Sequence, residues 1–311
     1  MSNRHVLILT NCTNRKRGVA SDALHARSLP KGTYLTVSTE WAERVHKAPK
    51  LVRAGELYCG RAVTETRQAA ARASAEVFFL SAGLGIVEQQ EFVPTYNLTS
   101  SPGGPDSIEQ RLTEPYLPAL WWRALSVARN TKRAIARLIQ NRGPVLTLVA
   151  VPSGYLRMVS DELEALPSTA KVRLRILGPR RAEEVPDSLR DQWMPYDDRL
   201  DDPASGFNGT TADFPHRALH HFTYRILDGH AAGSARTHGA SVEHSLERLT
   251  SYVRPRGVTA SDEQVLALIS ELWMKCRGNR NRVLRELRSG LGVACEQGRF
   301  RRLADRFVGK G

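Results

Sequence analysis

Residues 77–99, VFFLSAGLGIVEQQEFVPTYNLT, decide the fold class of this chain. The stretch opens with a hydrophobic run of β-forming residues that ends at Ser81, and small residues and a turn follow. A loop of Pro, Thr, Tyr and Asn then places polar side chains just beyond the carboxyl end of a strand. Open α/β sheets build their ligand sites at this edge, so we expect an α/β domain with a functional site here.

Short β-rich runs and helical periodicity alternate along most of the chain. The predicted strands cover residues 5–10, 77–81, 145–151 and 171–177, the last as an edge or half-exposed strand. The predicted helices cover residues 61–75, 114–142 and 154–166. This alternation predicts a mostly parallel, right-handed α/β sheet flanked by helices. Segments 100–107 and 197–211 are rich in Gly, Pro, Asp and Ser, which predicts functional or mobile loops.

The length of 311 residues predicts a large α/β domain with a smaller appended domain. After Asp213 the pattern is helical only, and the glycine-containing stretch 229–239 indicates a flexible link. We therefore predict an α/β domain carrying the site over residues 1–228, a linker and connecting helix over 229–253, and a basic helical domain over 254–311.

Basic residues dominate the charge and concentrate at the carboxyl end. The net charge of +13 and the pI near 10.0 fit a polyanionic partner such as nucleic acid. Residues 254–311 contain 13 Lys and Arg against 6 Asp and Glu, a net charge of +7. Three short amphipathic helices separated by glycine-containing turns are typical of an all-helical, helix-turn-helix-like DNA-binding domain; a helical cap with a solvated arginine face is the alternative. The predicted DNA contacts are Arg280, Arg282, Arg285 and Arg288.

Several classes of site are not indicated by the sequence. The four cysteines, at positions 12, 59, 276 and 295, lack the spacing of a zinc site or disulfide framework, which fits a reduced cytoplasm. His216, His220 and His221 lack the acidic companion of a zinc pattern, so a packed helix with partly exposed imidazoles is expected. Common nucleotide, metalloprotease, hydrolase and nuclease motifs do not occur, and we expect no metal and no cofactor. No signal peptide or membrane span is indicated, so we expect a soluble cytoplasmic protein without a membrane partner or an obligate protein partner.

Asn11 and Cys12 follow the first predicted strand at its carboxyl edge. An asparagine amide can orient a water or hydrogen-bond the edge of a base, whereas an Asx-turn that closes the strand is the simpler alternative. Cys12 has no neighbouring base in sequence, so we expect it to line the base site in a structural role. The loop beyond it carries Arg15, Lys16 and Arg17, which either contact DNA phosphate or form a solvated surface.

The stretch 77–99 contributes two further groups of polar candidates. Ser81 begins a tight turn whose backbone amides, at Gly83 and Gly85, can approach a phosphate or a nucleobase. Tyr96 and Asn97 supply the aromatic face and the amide that stacking on a base and reading its edge require. A buried core tyrosine is the alternative for Tyr96.

The remaining candidates come from other segments. Ser153 and Tyr155 follow the strand predicted at 145–151 and begin a helix whose amides point outward, so we expect both to contact the base, although Ser153 also fits a plain helix N-cap. Acidic residues that can polarise water have no partner at a diagnostic spacing. They are Glu56, Glu88, Glu91, Asp197 and Asp198.

Four short motifs, taken in order, resemble a known family. They are ILTNCTNRK (residues 8–16), AGELYCGRA (54–62), LSAGLG (80–85) and PTYNL (94–98). Together they resemble the YaaA-like family over roughly the first hundred residues, and within it the anti-phage DNA glycosylases that remove glucosylated hydroxymethylcytosine from invading genomes. The resemblance implies double-stranded DNA with modified bases as the partner, and we expect catalytic roles for Asn11, Ser81 and Glu56.

We therefore expect a DNA glycosylase that flips a glucosylated hydroxymethylcytosine out of phage DNA and leaves an abasic site. A lysine suited to strand cleavage is not evident apart from Lys16, so we expect no lyase activity. Two alternatives stay open: a non-enzymatic, YaaA-like DNA-binding stress protein, and a base-exchanging transglycosylase.

Overall fold

The apolar run before Cys12 forms the central strand of a five-stranded sheet. The computed structural model describes residues 5–131, 134–227, 233–251 and 257–309. The first seven strands are β1 (Val6–Asn11), β2 (Val52–Arg53), β3 (Ala75–Ser81), β4 (Gly85–Glu88), β5 (Phe92–Val93), β6 (Leu146–Ala150) and β7 (Leu174–Leu177). Their order across the sheet is β4, β3, β1, β6, β7, while β2 and β5 pair separately. Within the sheet only β4 runs antiparallel, which confirms the predicted mostly parallel α/β sheet.

Two groups of helices enclose this sheet. The first nine helices are α1 (Tyr34–Lys47), α2 (Ala54–Leu57), α3 (Arg61–Ala73), α4 (Pro118–Ala128), α5 (Ala134–Arg142), α6 (Ser153–Glu164), α7 (Ser168–Lys171), α8 (Phe214–His221) and α9 (Ala235–Leu246). α3 packs against α8, whereas α4 packs against both α1 and α6. Residues Val6 to Leu9 of β1 are almost wholly buried, as is usual for parallel strands covered by helices on both faces.

Two predicted elements differ from the observed ones. The strand predicted at 171–177 begins only at Leu174, because the preceding residues complete α7. It lies at the edge of the sheet as expected, but its residues are buried rather than half-exposed, and Arg175 points inward. The helix predicted over 114–142 is divided into α4 and α5, and Asn130 after α4 adopts a left-handed φ of 55°.

The segment expected to be a flexible link, 229–239, differs from that expectation in its described part. Residues 228–232 lie outside the described residues. From Ser234 onward the chain forms α9, and the Ser234 side chain accepts a hydrogen bond from Thr237 N. His238 of α9 is buried and accepts a hydrogen bond from Arg175 Nε at 2.8 Å, so α9 is packed into the first unit of the chain.

The chain divides into two compact units, residues 1–252 and 253–311. The second contains α10 (Asp262–Lys275), α11 (Arg280–Arg285) and α12 (Gln297–Val308), with short strands β8 (Val258–Thr259) and β9 (Val293–Ala294) paired in parallel. A four-residue turn, with Gly278 at φ +66°, joins α10 to α11. The unit is therefore mainly helical as predicted, with its own apolar core, which includes Val265, Ile269, Leu287 and Phe300.

The histidines of α8 are more buried than the sequence predicted. His216 is 1% exposed and His221 is 3% exposed, while His220 pairs with Glu65 at 2.6 Å. Burial lowers the pKa of both His216 and His221 to about 4. For His216, burial outweighs the nearby Asp213 and Glu65, whose charges raise the pKa. Both imidazoles are therefore neutral at pH 7.

These two histidines differ in their partners, which gives a matched test of stability. His221 hydrogen-bonds to Tyr196 Oη at 2.8 Å and to Ser245 Oγ at 3.0 Å, whereas His216 has no side-chain partner among the described residues and only a weak contact with the backbone of Asp213. We expect His221→Leu to lower the free energy of unfolding by about 1–3 kcal/mol, because buried Tyr196 loses its partner, and His216→Leu to be neutral or stabilising. Urea unfolding at pH 7 measures both; equal destabilisation by the two variants would contradict the prediction.

Their pKa values also predict a pH dependence. In the unfolded chain both histidines return to a pKa near 6.5, so between pH 6.5 and 4 the unfolded state binds more protons than the folded state. The free energy of unfolding should therefore fall as the pH falls through this window. His216→Leu should make that fall smaller.

Candidate functional site

The topology of the sheet places a crevice between the ends of β1 and β6. From the central β1 the chain crosses to β3 on one side, and from β6 it continues to β7 on the other side. The loops beyond β1 and β6 therefore diverge, which is the topological switch point where α/β sheets bind ligands. Cys12, directly after β1, and Tyr155, in the first turn of α6, meet across this crevice, with Cys12 Sγ 3.2 Å from Tyr155 Oη.

A buried hydroxyl network lies beneath the crevice. Tyr96 Oη is 2.6 Å from Ser81 Oγ and 2.9 Å from Tyr58 Oη, and all three side chains are fully buried. Burial raises the pKa of both tyrosines, and the charge of Cys12 adds to the effect. The phenols therefore remain protonated and serve as hydrogen-bonding groups.

The turn after Ser81 is structural, which corrects two sequence-based expectations. Ser81 Oγ accepts hydrogen bonds from the backbone N–H groups of Gly83 (3.2 Å) and Leu84 (3.0 Å). The indole N–H groups of Trp41 and Trp121 donate to carbonyl oxygens of the same turn, each at 2.7 Å. These amides are thus occupied and do not face a phosphate, and the Ser81 hydroxyl has no open approach for a substrate.

Tyr96 is a core residue rather than a stacking platform. Its ring is fully buried, with Trp41 packed edge-on and ring centroids 6.1 Å apart. A Cβ atom on Gly83 would lie 2.6 Å from the Tyr96 ring, so only glycine fits at that position. Since no face of the ring is open, Tyr96 cannot stack on a flipped base in this conformation, and the simpler interpretation of this residue is correct.

Asn11 is the polar group at the centre of the switch point. It ends β1, is half-buried, and donates from Nδ2 to the carbonyl oxygen of Cys12 at 3.0 Å. Its Oδ1 atom is buried and accepts no hydrogen bond from the described residues. Buried acceptors are nearly always paired, so an unpaired amide oxygen at a sheet edge indicates an acceptor prepared for a ligand or a water.

The loop after Cys12 is fixed to the segment before α3. Arg17 N donates to Leu57 O at 2.8 Å, and Cys59 N donates to Arg15 O at 3.0 Å. The side chains of this loop alternate, so Arg15 and Arg17 are exposed whereas Lys16 is half-buried. The three basic residues therefore have different environments, although the sequence predicted one common role.

Lys16 points towards the hydroxyl network. Its Nζ atom lies 4.4 Å from the centroid of the Tyr96 ring. Burial lowers the pKa of Lys16, although charges on Cys12, Asp106 and Cys59 act in the opposite direction. Lys16 therefore lies half-buried over the Tyr96 ring, unlike the exposed Arg15 and Arg17, and its contact with DNA phosphate stays a prediction.

His25 and Asp106 complete the site and were missed by the sequence analysis. His25 Nδ1 is 3.3 Å from Asp106 Oδ2, and Asn97 Nδ2 is 3.3 Å from the same ring nitrogen. Asp106 is also close enough to Lys16 for its charge to affect the pKa of that amine. The location of Asp106 in the predicted functional loop 100–107 was the only signal, because nothing in the sequence links it to His25, which lies 81 positions away.

The other predicted residues lie in different surroundings. Glu56 is exposed on α2, and among the described residues it makes no contact with the crevice. Ser153 is not an N-cap, since Pro152 occupies that position, and Ser153 Oγ donates to Glu184 at 3.0 Å. The remaining acidic candidates are engaged elsewhere: Glu88 with Arg142, Glu91 with the backbone N–H of Glu88, Asp197 with Arg199 and Asp198 with Arg180.

Comparisons of the chain with protein-family models, curated protein sequences and solved structures gave no match. The resemblance to the YaaA-like family rests on the four motifs quoted above. In the described part of the chain, no three His, Cys, Asp or Glu residues are grouped as a metal site would require, and no helix is long and apolar enough to cross a membrane.

Proposed function

We propose that this protein is a DNA glycosylase that removes a bulky modified cytosine, with a glucosylated hydroxymethyl group, from double-stranded phage DNA. The observation that carries the proposal is the buried, unpaired Oδ1 atom of Asn11 at the switch point of the sheet. Such an oxygen can accept a hydrogen bond from an attacking water and hold it in one position. The motif resemblance in the same residues, 8–16, supports this assignment.

The proposed reaction is hydrolysis of the bond between base and sugar. The base is shielded in a duplex, so the nucleotide must first flip into the crevice. The oxygen of the water held by Asn11 bonds to C1′ as the bond to the base nitrogen breaks, and the bonding electrons leave with the base. We propose that the proton from the water passes to the His25–Asp106 pair, in which His25 Nδ1 lies 3.3 Å from Asp106 Oδ2. The pair then delivers this proton to the departing base nitrogen, so the base leaves neutral, the pair returns to its starting state, and the sugar keeps the hydroxyl at C1′.

The polar groups around Asn11 suit a substrate rich in hydroxyl groups. Tyr155, Lys16 and Asn97 are half-buried and carry a phenol, an amine and an amide. Tyr155 Oη lies 3.2 Å from Cys12 Sγ, and Asn97 Nδ2 lies 3.3 Å from His25 Nδ1. A sugar attached to the base needs several such donors and acceptors at fixed positions. This chemistry is the reason for preferring a glucosylated base to an unmodified one.

Two exposed basic surfaces are proposed to hold the duplex, one in each unit. In the first unit it is formed by Arg15 and Arg17 beside the crevice. In the second, Arg282 and Arg285 of α11 are exposed and, with Lys275, line a cavity of about 300 Å³. The other predicted contacts are engaged within the unit, since Arg280 pairs with Asp305 at 2.5 Å and Arg288 donates to Cys295 O at 2.8 Å.

The α11 arginines give a prediction about salt dependence. If both guanidinium groups contact phosphate, Arg282→Ala/Arg285→Ala should weaken binding to every DNA sequence and reduce the slope of log Kd against log salt by about 2. The charge-preserving pair Arg282→Lys/Arg285→Lys is the control and should retain most of the slope. Titration of DNA with each variant at several salt concentrations measures this slope. An unchanged slope for the alanine variant would show that this helix does not contact DNA phosphate.

The loop after β1 gives a second such prediction. Arg15→Ala and Arg17→Ala should each reduce the salt slope by about 1, because both residues are exposed beside the crevice. Lys16→Met should leave the slope unchanged but slow base release, because its amine faces the buried tyrosines. A slope that falls equally for all three variants would place Lys16 on the phosphate instead.

The test of the function is mass spectrometry of the products formed from phage DNA with glucosylated hydroxymethylcytosine. Release of the free modified base, with abasic sites left in the strand, is the expected result. Binding without release would favour the DNA-binding stress protein. Release only after addition of a free base would favour the transglycosylase.

A further inference from the structure

A surface cavity of about 430 Å³ lies between the carboxyl half of α1 and the end of α4. Its lining includes the basic side chains of His46, Lys47, Lys50 and Arg129. The one acidic residue that the structure describes in this lining is Glu43, which pairs with Lys47 at 3.6 Å. Sites for small ligands typically measure roughly 300–1,000 Å³. The cavity therefore has the size of a small-ligand site and an excess of positive charge.

Arg129, the residue that follows α4, is a half-buried cation without a partner. Its Nε atom is buried and makes no hydrogen bond with a described residue, and the guanidinium forms no ion pair with one. Burial lowers the pKa of Arg129, although the charge of Glu91 acts in the opposite direction. Removing a cation from water is costly unless an anion or another acceptor replaces the lost hydration. The guanidinium therefore indicates an anionic ligand in the cavity that it lines.

The ends of the two helices do not explain these cations. Basic side chains near a helix carboxyl end balance its partial negative charge and often donate to the last carbonyl groups. Lys47, in the last turn of α1, fits this explanation. In contrast, the Arg129 guanidinium donates to no carbonyl group of the described residues, and Lys50 lies three residues beyond the end of α1. One half-buried and one exposed cation are thus left for a ligand.

The rest of the lining fits a nucleotide. Ala42 and Val45 of α1 and Ala128 of α4 supply apolar surface against which a base can lie. Thr39 and Asn130 line the same cavity and supply a hydroxyl group and an amide for hydrogen bonds to a base or a sugar. Arginine and lysine side chains are the usual partners of phosphate groups in proteins. A nucleotide combines all three kinds of group in one molecule.

We propose that this cavity binds a nucleotide, with Arg129 and Lys50 as the cationic partners of its phosphate group. The phosphate belongs either to a free mononucleotide or to a nucleotide within a DNA strand, because both present the same chemistry. The inference does not depend on the proposed glycosylase reaction, since the residues of the cavity are different from those of the crevice.

The first experiment measures binding of 2′-deoxyadenosine 5′-monophosphate to the full chain by isothermal titration calorimetry. Its purine does not resemble the modified cytosine proposed for the crevice. We expect Arg129→Met to weaken binding by about tenfold or more, because hydrogen bonds to a charged group are lost. Lys50→Gln, at an exposed position, should weaken it by about threefold.

Two controls accompany this titration. Arg123→Met changes an exposed arginine of the same helix that pairs with Asp161, and this variant should bind the nucleotide like the wild type. 2′-Deoxyadenosine, which has no phosphate, should bind the wild type at least about tenfold more weakly than the monophosphate.

Urea unfolding without nucleotide separates a ligand site from a structural role. Arg129→Met should unfold at the same urea concentration as the wild type or at a higher one, because it removes a half-buried charge that has no partner. Binding of an unmodified duplex then identifies the source of the phosphate. A salt slope that Arg129→Met leaves unchanged assigns the cavity to a free nucleotide, and a slope reduced by about 1 assigns it to a DNA strand.

Two results would overturn the proposal. One is an Arg129→Met protein that equals the wild type in both nucleotide affinity and salt slope. The other is a lower urea midpoint for Arg129→Met in the absence of nucleotide, since that loss identifies an arginine that stabilises the fold.

Discussion

Asn11→Ala should reduce single-turnover base release by roughly 100-fold or more while the protein remains folded. The substitution removes the buried Oδ1 acceptor and the hydrogen bond from Nδ2 to Cys12 O. It leaves β1 intact, because the strand is fixed by the buried side chains of Val6, Ile8 and Leu9. Quenched-flow measurement of the released base, with duplex affinity determined in parallel, should therefore show a loss confined to the chemical step.

Two further variants show whether the amide oxygen is responsible. Asn11→Asp keeps an acceptor at the same position and should retain more activity than Asn11→Ala. Asn14→Ala removes an exposed amide three residues further along and should be close to wild type. A folded Asn11→Ala protein that releases base at a near wild-type rate would eliminate the assignment and shift attention to Asp106 and His25.

The main layers of the fold could be predicted because local patterns determine them. Runs such as Val6 to Leu9 and Leu146 to Ala150 are buried on both faces, so their apolar character alone identifies central parallel strands. The position of Asn11 at the carboxyl edge follows directly from the end of β1. The start of α9 was predicted to be part of a flexible link, because the contact between its His238 and the distant Arg175 cannot be read from the local pattern.

The arrangement of the site was less predictable because it is built from contacts between distant residues. Asp106 meets His25 across 81 positions, and neither residue belongs to a recognisable motif. Tyr96 and Lys16 were both predicted as site residues, but Tyr96 lies in the core and Lys16 lies over its ring, and the direction of each side chain depends on the packing of Trp41, Gly83 and the tyrosine ring. Sequence indicates which residues reach an edge of the sheet, whereas packing decides which of their atoms remain open.

Arg217 fixes the loop 197–211, which the sequence predicted to be functional or mobile. Contacts with distant residues again determine a local structure that the sequence pattern does not show. Its guanidinium is fully buried and pairs with Asp213 and Asp201, each at 2.7 Å. It also donates to the carbonyl oxygens of Phe207 (2.7 Å) and Thr210 (2.9 Å). One arginine of α8 therefore neutralises two carboxylates and holds the backbone of the loop in place.

Arg217→Met should lower the free energy of unfolding of the first unit by about 3–5 kcal/mol, because it removes the buried cation between two largely buried carboxylates and the donor to two backbone carbonyls. Asp201 keeps Arg180 at 3.1 Å, whereas Asp213 keeps Arg61 only at 3.9 Å. Arg225→Met is the matched control, since Arg225 is exposed in the π-helical turn that continues α8, and it should change stability by less than about 0.5 kcal/mol. Urea unfolding followed by tryptophan fluorescence reports mainly on this unit, which contains Trp41, Trp121, Trp122 and Trp193.

The loop is also tied to α3, since Arg61 donates to Asn208 O at 2.7 Å, and α3 directly follows the segment that holds Lys16 in place. Arg217→Met should therefore also weaken base release at temperatures where the protein is still folded; a loss of stability below about 1 kcal/mol would show that the loop does not depend on this ion pair.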